Sequence, residues 1–519
     1  MLSVLFISGS MTACNQKPDT SDSDSSAATT TTQASDVSSG ETGDTATQDS
    51  TTTGGQGATT AKTAATSSNS SSGGNSSGSK PVVNADPTKG VNLNKKTIVV
   101  YTSNAGGVFN RKQGSSTYGN AVAKRLSDLE KALNCTVKVN VKPVEDLYTL
   151  AFTTISSGDK FADIMEVPVY KTCAYISSKL AVDLKSVSTM DLSKSYLNAG
   201  DTVTASTLGK RTYFVGTEDM YAQTVMGYFF NKTILKECGY KENYIYDLVS
   251  KNQWTVSKLR EMAKKATKDL DGKPGLTSAD RFGMLQTSYS ADATEALLAA
   301  SGAQMLKHNK DGSVTYNMDS KDVIDTINLA NAMWVKDNTT FKSSSGDEEL
   351  HKMFMSGHGL FLGCGSGVVT KIMDMDDDFG FVPFPRGDKA SKIVGATNWN
   401  SSTLMIPTGI KGKDLEDAGK FLQAFCYTSP GVAKVMYQEY SDRYYRDDQS
   451  SKMLSMVATN QKLAVATILG STADWTIHEG TYKVLYGCVP GGESAQKMVS
   501  ERKSRTVTAL KELMAKINK

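Results

Sequence analysis

Histidine is scarce in this chain, with four in 519 residues, and no two cysteines have Cys-x-x-Cys spacing. The missing pair excludes a zinc ribbon or a thioredoxin-type redox motif. With so few histidines, no Ser/His/Asp set stands out for nucleophilic catalysis. No apolar run approaches the about 20 residues that a membrane-spanning helix needs. An excess of one charge is lacking too: 57 Lys and Arg stand against 54 Asp and Glu, and the basic residues are dispersed. That removes the electrostatic case for nucleic acid as a partner.

Several motifs come close to known chemistry and fall short. GCGSG at 363–367 is neither GxGxxG nor a P-loop, because the spacing fails and no GK[ST] follows. It is not GxSxG either, since Ser366 stands one place too late. The SGDK at Ser157 fits SxxK, but no SDN or KTG accompanies it. His351 and His358 lack the carboxylate of HExxH and read as surface or satisfied helix residues. Asp269 to Asp280 has Asp at the first, third and twelfth places of a calcium-type loop. Lys273 and Pro274 then occupy places that need an oxygen ligand and a glycine. The segment reads as a surface turn, and no metal or cofactor is expected.

What is there begins with MLSVLFISGSMTAC. Leu2–Ile7 are apolar and Ser8–Ala13 small or turn-forming, the order of a secretion signal's core and cleavage region. No basic residue precedes them, so the true start is expected upstream. Met11-Thr12-Ala13-Cys14 resembles a bacterial lipobox, with Met11 in place of the usual Leu, which makes Cys14 a candidate for lipidation. From Asn15 to about Ser79 the chain is mostly Ser, Thr, Gly, Ala and Asp, with Val37 as its one large aliphatic residue. Such a tract cannot bury enough apolar surface to offset chain entropy. As a flexible linker of ~65 residues it would reach roughly 45 Å root-mean-square. Residues 1–13 are thus assigned to a signal remnant and 14–94 to an anchor and tether.

The remaining body of about 430 residues is long enough for two domains or one large one. Its six cysteines are widely spaced, so disulfides cannot be assigned and buried thiols fit as well. Thr97–Thr102 reads as a strand that runs into the polar loop SNAGG. Val122, Leu126, Leu129 and Leu133 repeat helically. Val137, Val139 and Val141 alternate as a strand. A helix ending at Gly158 and the strand FADIMEVP follow. Strand and helix alternate throughout, which argues for a parallel-rich α/β fold. Ligands then sit beyond the carboxyl ends of strands, so the loops at Asn104 and Glu166 are the first candidates. Tyr213–Val215 and Met226–Asn231 read as strands joined by the polar, aromatic GTEDMYAQT. Trp254 reads as core, just before a helix capped by Thr255. Leu360–Leu362 reads as a strand, then a glycine-rich turn, with helix from near Val368 and free N–H groups suited to a ligand. Thr403–Ile406 is a further strand. The loop before it sets Trp399 between Asn398 and Asn400, an indole face flanked by amides, as sugar recognition requires.

The series YTSN, SGDKFADIMEVP, LGKRTYFVGTEDM, YFFNKTIL, NQWTVSKLREMAKKATKD, FMSGHGLFLGCGSG, FGFVPFPRG and LMIPTGIKGKDLEDAGKFLQAFCYTSPGVAKV resembles bacterial extracellular solute-binding proteins of carbohydrate ABC transporters. The resemblance runs from about Thr97 to Lys519. It implies a two-lobed, type II periplasmic-binding-protein-like α/β fold with an interlobe cleft. One lobe would take residues 95–217 plus about 383–430, and the other 218–382 plus about 431–519. It implies a lipid-anchored receptor, palmitate-type, on the extracellular face of a Gram-positive cell membrane. That receptor would be a monomer, bind a sugar and deliver it to a permease, with the Cys14 lipid as its one membrane contact. By the same resemblance the glycine-rich turn, Gly363 included, lines the cleft, and Trp475 stacks on the ligand as Trp399 does. Asn104, Glu166, Glu218, Asp219 and Asn398 complete the expected binding set. No enzymatic activity is expected. A surface glycoside hydrolase using cleft carboxylates, or a receptor for peptide or another solute, stays open as the alternative.

Overall fold

The computed structural model describes residues 85–109, 112, 114, 116–286, 290–343, 345–397, 401–470 and 475–519. Cys14, the signal segment and nearly all of the tether lie outside the described residues, as do Asn398 and Trp399.

The body opens as the periodicity predicts. Strand β1 (Lys96–Thr102) leads to helix α1 (Thr117–Leu133), strand β2 (Cys135–Val141), helix α2 (Val144–Ser156) and strand β3 (Ile164–Pro168). Val122, Leu126, Leu129 and Leu133 are all buried. Ser116 caps α1 through its side chain, and Asn134 ends it in the left-handed region. β1 pairs parallel with both β2 and β3, as short helical crossovers demand.

A second sheet follows, built from β4 (Met226–Asn231), β5 (Phe282–Gln286), β6 (Thr340–Phe341), β7 (Gly359–Gly365) and β8 (Phe379–Pro383). Its order is β6-β5-β7-β4-β8. The β5 contacts are parallel, whereas β4 lies antiparallel between β7 and β8. The chain then returns: β9 (Ser402–Met405) pairs antiparallel with β3, which completes a four-stranded sheet ordered β9-β3-β1-β2. The chain therefore crosses between the sheets twice, after β3 and after β8. The crossings touch, with the Thr224 and Ser401 hydroxyls 2.6 Å apart.

Some expected elements differ. Tyr213–Val215 is not a strand. The Ser206 hydroxyl donates to the Phe214 carbonyl and accepts from its N–H, the bonds a strand partner would use. Only an isolated bridge joins Val215 to Leu404. The Leu360–Leu362 strand instead runs to Gly365, because Gly363, Cys364 and Gly365 all pair with β4. Helix α3 (Gly412–Glu439) continues through Pro430. Met220 and Tyr221, which the expected boundary puts in the second lobe, are buried in the same core cluster as β1 and α1. The six body cysteines are buried thiols.

Trp254 is fully buried, as expected, and its Nε1–H donates to the Pro383 carbonyl at 2.8 Å. Thr255 caps the helix Val256–Ala266 through its side chain. Trp254→Phe should destabilise the fold by about 2 kcal/mol, from lost volume and an orphaned carbonyl. Urea denaturation measures this, and a loss under about 0.5 kcal/mol would mean the carbonyl finds another donor.

Candidate functional site

A cavity of about 60 Å³ sits where the carboxyl ends of β1 and β3 meet the two crossings. Asn104, Gly107, Tyr118, Glu166, Asp219 and Ser402 are among its walls, with Gln223, Thr224 and Ser401 from the crossings.

Glu166 lies within β3, not in a loop, because IMEVP is buried throughout and pairs on both sides. Its register partners are Thr102 on β1 and Leu404 on β9. That position aims the carboxyl at the strand ends. The Thr102 hydroxyl donates to Oε2 at 2.7 Å. Burial is the dominant influence and pushes the Glu166 carboxyl up to about 7, with hydroxyls of Thr102 and Ser402 opposing it. The loop after β1 folds over this carboxylate. A Cβ on Gly107 would stand 2.9 Å from Glu166 Oε1 and 2.7 Å from Asn104 Nδ2, so only glycine permits the approach.

Asp219 is wholly buried. Its Oδ1 accepts from the Ser429 hydroxyl at 2.6 Å, and Arg125 Nη1 lies 2.9 Å from Oδ2 without hydrogen-bond alignment. Arg125 projects from α1, donates through Nη2 to the Val108 carbonyl, and lies 4.1 Å from the Phe425 ring centre. Tyr118 enters from the first turn of α1. Burial pushes its hydroxyl well above the usual range, and the Asp219 carboxylate adds to this.

The structure thus brings together three of the expected residues, Asn104, Glu166 and Asp219. Glu218 is half-buried and outside these walls. Its Oε1 accepts from Tyr437 OH at 2.8 Å, and burial foremost raises its pKa. Gly363 is in mid-strand. A Cβ there would meet Gln286 Oε1 at 2.3 Å and the Tyr228 ring at 2.8 Å, so the glycine serves close strand packing. The turn beyond it keeps no open N–H pair for a ligand. Ser366 N–H donates to the Val225 carbonyl and Gly367 N–H to that of Gln223, both on the first crossing. Trp475 is 60% exposed and stacks on His478 of its own helix at 4.8 Å between ring centres.

Tyr118, Gln223, Thr224 and Ser402 were missed by sequence reasoning, as was Arg125. A signal for Arg125 existed. It lies three residues after Val122 and four before Leu129, a charge at core phase on α1. His351 is a correction. It is buried, and neither ring nitrogen has a hydrogen-bond partner among the described residues. Burial lowers its pKa. His358 lies before β7, where Nδ1 meets the Asp280 carbonyl at 3.0 Å. The Asp269–Asp280 segment folds as a turn. The Asp280 carboxylate accepts from the N–H groups of Leu270, Asp271 and Thr277. Among the described residues, no helix is long and apolar enough to cross a membrane.

Curated proteins return no match by sequence. Solved structures match in fold. A cyclo/maltodextrin-binding protein complexed with maltotetraose aligns at TM-score 0.55 and 15% identity, over 80% of this chain and 96% of that one. The cyclic alpha-maltosyl-1,6-maltose binding protein from Arthrobacter globiformis gives 0.56 and 14%, over 80% and 99%. The sugar-binding protein MalE from Xanthomonas citri gives 0.56 and 14%, over 81% and 98%. The architecture is the two-lobed, periplasmic-binding-protein-like α/β fold. The family model described as bacterial extracellular solute-binding protein matches residues 111–432, more than half of the chain. This chain belongs to that family.

Proposed function

We propose that this protein is a lipid-anchored extracellular receptor that binds a sugar or oligosaccharide between its lobes and delivers it to an ABC permease. One observation carries the reading. Asn104, Glu166 and Asp219 converge with Ser402, Thr224 and Gln223 where the chain crosses between the sheets. Carboxylates and amides so placed accept and donate to ring hydroxyls, and crossings are the natural hinge for lobe closure. Closure shifts a population and requires no chemistry, so the ligand leaves intact. In this reading the first lobe holds 95–221 plus about 383–430, because Met220 and Tyr221 pack with that lobe and the first crossing falls after them. The rest forms the second lobe. Trp399 supplies the stacking face, with Asn398 beside it; Glu218 and Trp475 are outer contacts, and Gly363, packed beneath Gln286 and Tyr228, is not a contact. Cys14 carries the lipid, and the receptor works as a monomer. The maltodextrin and cyclic-maltosyl ligands of the structural relatives make α-glucans the first panel to try.

Isothermal titration against linear and cyclic α-gluco-oligosaccharides tests this. Saturable binding with the sugar recovered unchanged is expected. Shortened sugar would indicate a glycosidase, and silence across the panel would remove sugars of this class. Trp399→Ala should weaken binding by about tenfold or more, which titration with the best sugar reads directly. Gly107→Ala should also cost about tenfold, because its methyl must displace Asn104 or the Glu166 carboxylate. Undiminished affinity in Gly107→Ala would take this cavity out of the binding site.

A further inference from the structure

A second and larger cavity, of about 240 Å³, shares no wall with the first. It lies among residues 201–205, the helix Ser290–Ser301, the strand Leu306–His308 and the segment 462–465. Leu298, Ala299, Ala303, Met305, Leu463 and Val465 give it an apolar lining. Two carboxylates, Asp201 and Glu295, are also among its walls. Glu295 is 7% exposed and is itself a wall of the cavity. Its Oε1 accepts from the Thr467 hydroxyl at 2.6 Å and from Tyr482 OH at 2.9 Å. Both donors are neutral, and no cation acts on Glu295 among the described residues. The cation among the walls, Lys462, is paired with Asp201, its Nζ 2.6 Å from Oδ2. His308 Nε2 lies 2.6 Å from the Thr207 carbonyl.

We propose that this cavity is a binding site for a small organic ammonium ion with an apolar body, with the Glu295 carboxylate as its counter-ion. A buried carboxylate is costly without an opposite charge, and two neutral hydroxyls supply hydrogen bonds but no charge. Burial accordingly pushes Glu295 up to about 7. An entering ammonium ion provides the missing charge, while its carbon skeleton replaces water on the apolar walls. A neutral donor such as an alcohol gains only the second effect. The inference is independent of the sugar-binding reading, because the two cavities have no residue in common.

The test is calorimetric titration of the whole protein with cyclohexylammonium chloride, and in parallel with cyclohexanol, at neutral pH. The ammonium ion should bind at least about tenfold more tightly than the alcohol. Glu295→Gln keeps one acceptor oxygen for Tyr482 and Thr467, which both donate to Oε1, and should lower ammonium affinity by about tenfold or more. Leu298→Trp, which fills the cavity from another wall, should abolish binding of both probes with Glu295 intact. Thermal melts confirm that each variant is folded. Equal affinity for ammonium and alcohol overturns the proposal. So does undiminished ammonium binding in either folded variant, or no ammonium binding to the wild type.

Discussion

Asp219→Ala should cost the folded protein about 3–5 kcal/mol in chemical denaturation. The reason lies in Arg125, whose side chain is 1% exposed. With Asp219 present the guanidinium has a carboxylate 2.9 Å away. Without it, a charge that cannot leave its helix stays buried with only the Val108 carbonyl and the Phe425 ring. Removing one member of a buried pair is far worse than removing both. Arg125→Leu combined with Asp219→Leu should therefore recover most of the loss in stability. Ligand binding should stay lost, since Asp219 is a wall of the candidate site. If the single substitution costs under about 1 kcal/mol, the guanidinium reaches water and the site is looser than described.

Glu166→Gln should flatten the pH dependence of stability. The native carboxyl titrates near 7, whereas an unfolded glutamate titrates near 4.5. Between those values the folded state holds a proton that the unfolded state has released. The Glu166 contribution is therefore full below about pH 4.5, falls as pH rises, and is gone above about 7. A difference of that size corresponds to about 3 kcal/mol. Glu295 is raised to the same value by burial and acts with the same sign in the same window. The strongest lowered carboxyl with a stated value, Asp280 at about 2, titrates well below that window. Urea unfolding at pH 5 and pH 8 should show the wild type losing about 2.5 kcal/mol more than Glu166→Gln. Equal losses would mean that Glu166 is solvated in the native state.

Local pattern made much of the scaffold readable. Val122, Leu126, Leu129 and Leu133 share one helix face, and all four are buried. Trp254 before a Thr-capped helix is core. Asn104 was legible as a candidate because a polar loop follows the apolar run of β1, whereas Asp219 came only with the family resemblance. Gly363 misled because a glycine in a turn and a glycine beneath a crowded neighbouring side chain look alike in sequence. Only the β4 and β5 pairings distinguish them. His351 misled in the same way, since its burial depends on what packs over its helix.

The order of residues by itself determined most of the secondary elements, the Ser/Thr/Gly-rich composition of the first 79 residues and the family, because helical and strand periodicity and turn chemistry act between near neighbours. Tertiary structure alone decided that Glu166, Asp219 and Ser402 share one cavity, although they lie far apart along the chain. It also decided that Arg125 is the buried partner of Asp219. Those placements arise from the pairing of β9 with β3 and from the double crossing. Such contacts form only when distant segments dock, and each residue's charge and exposure follow from what docks against it.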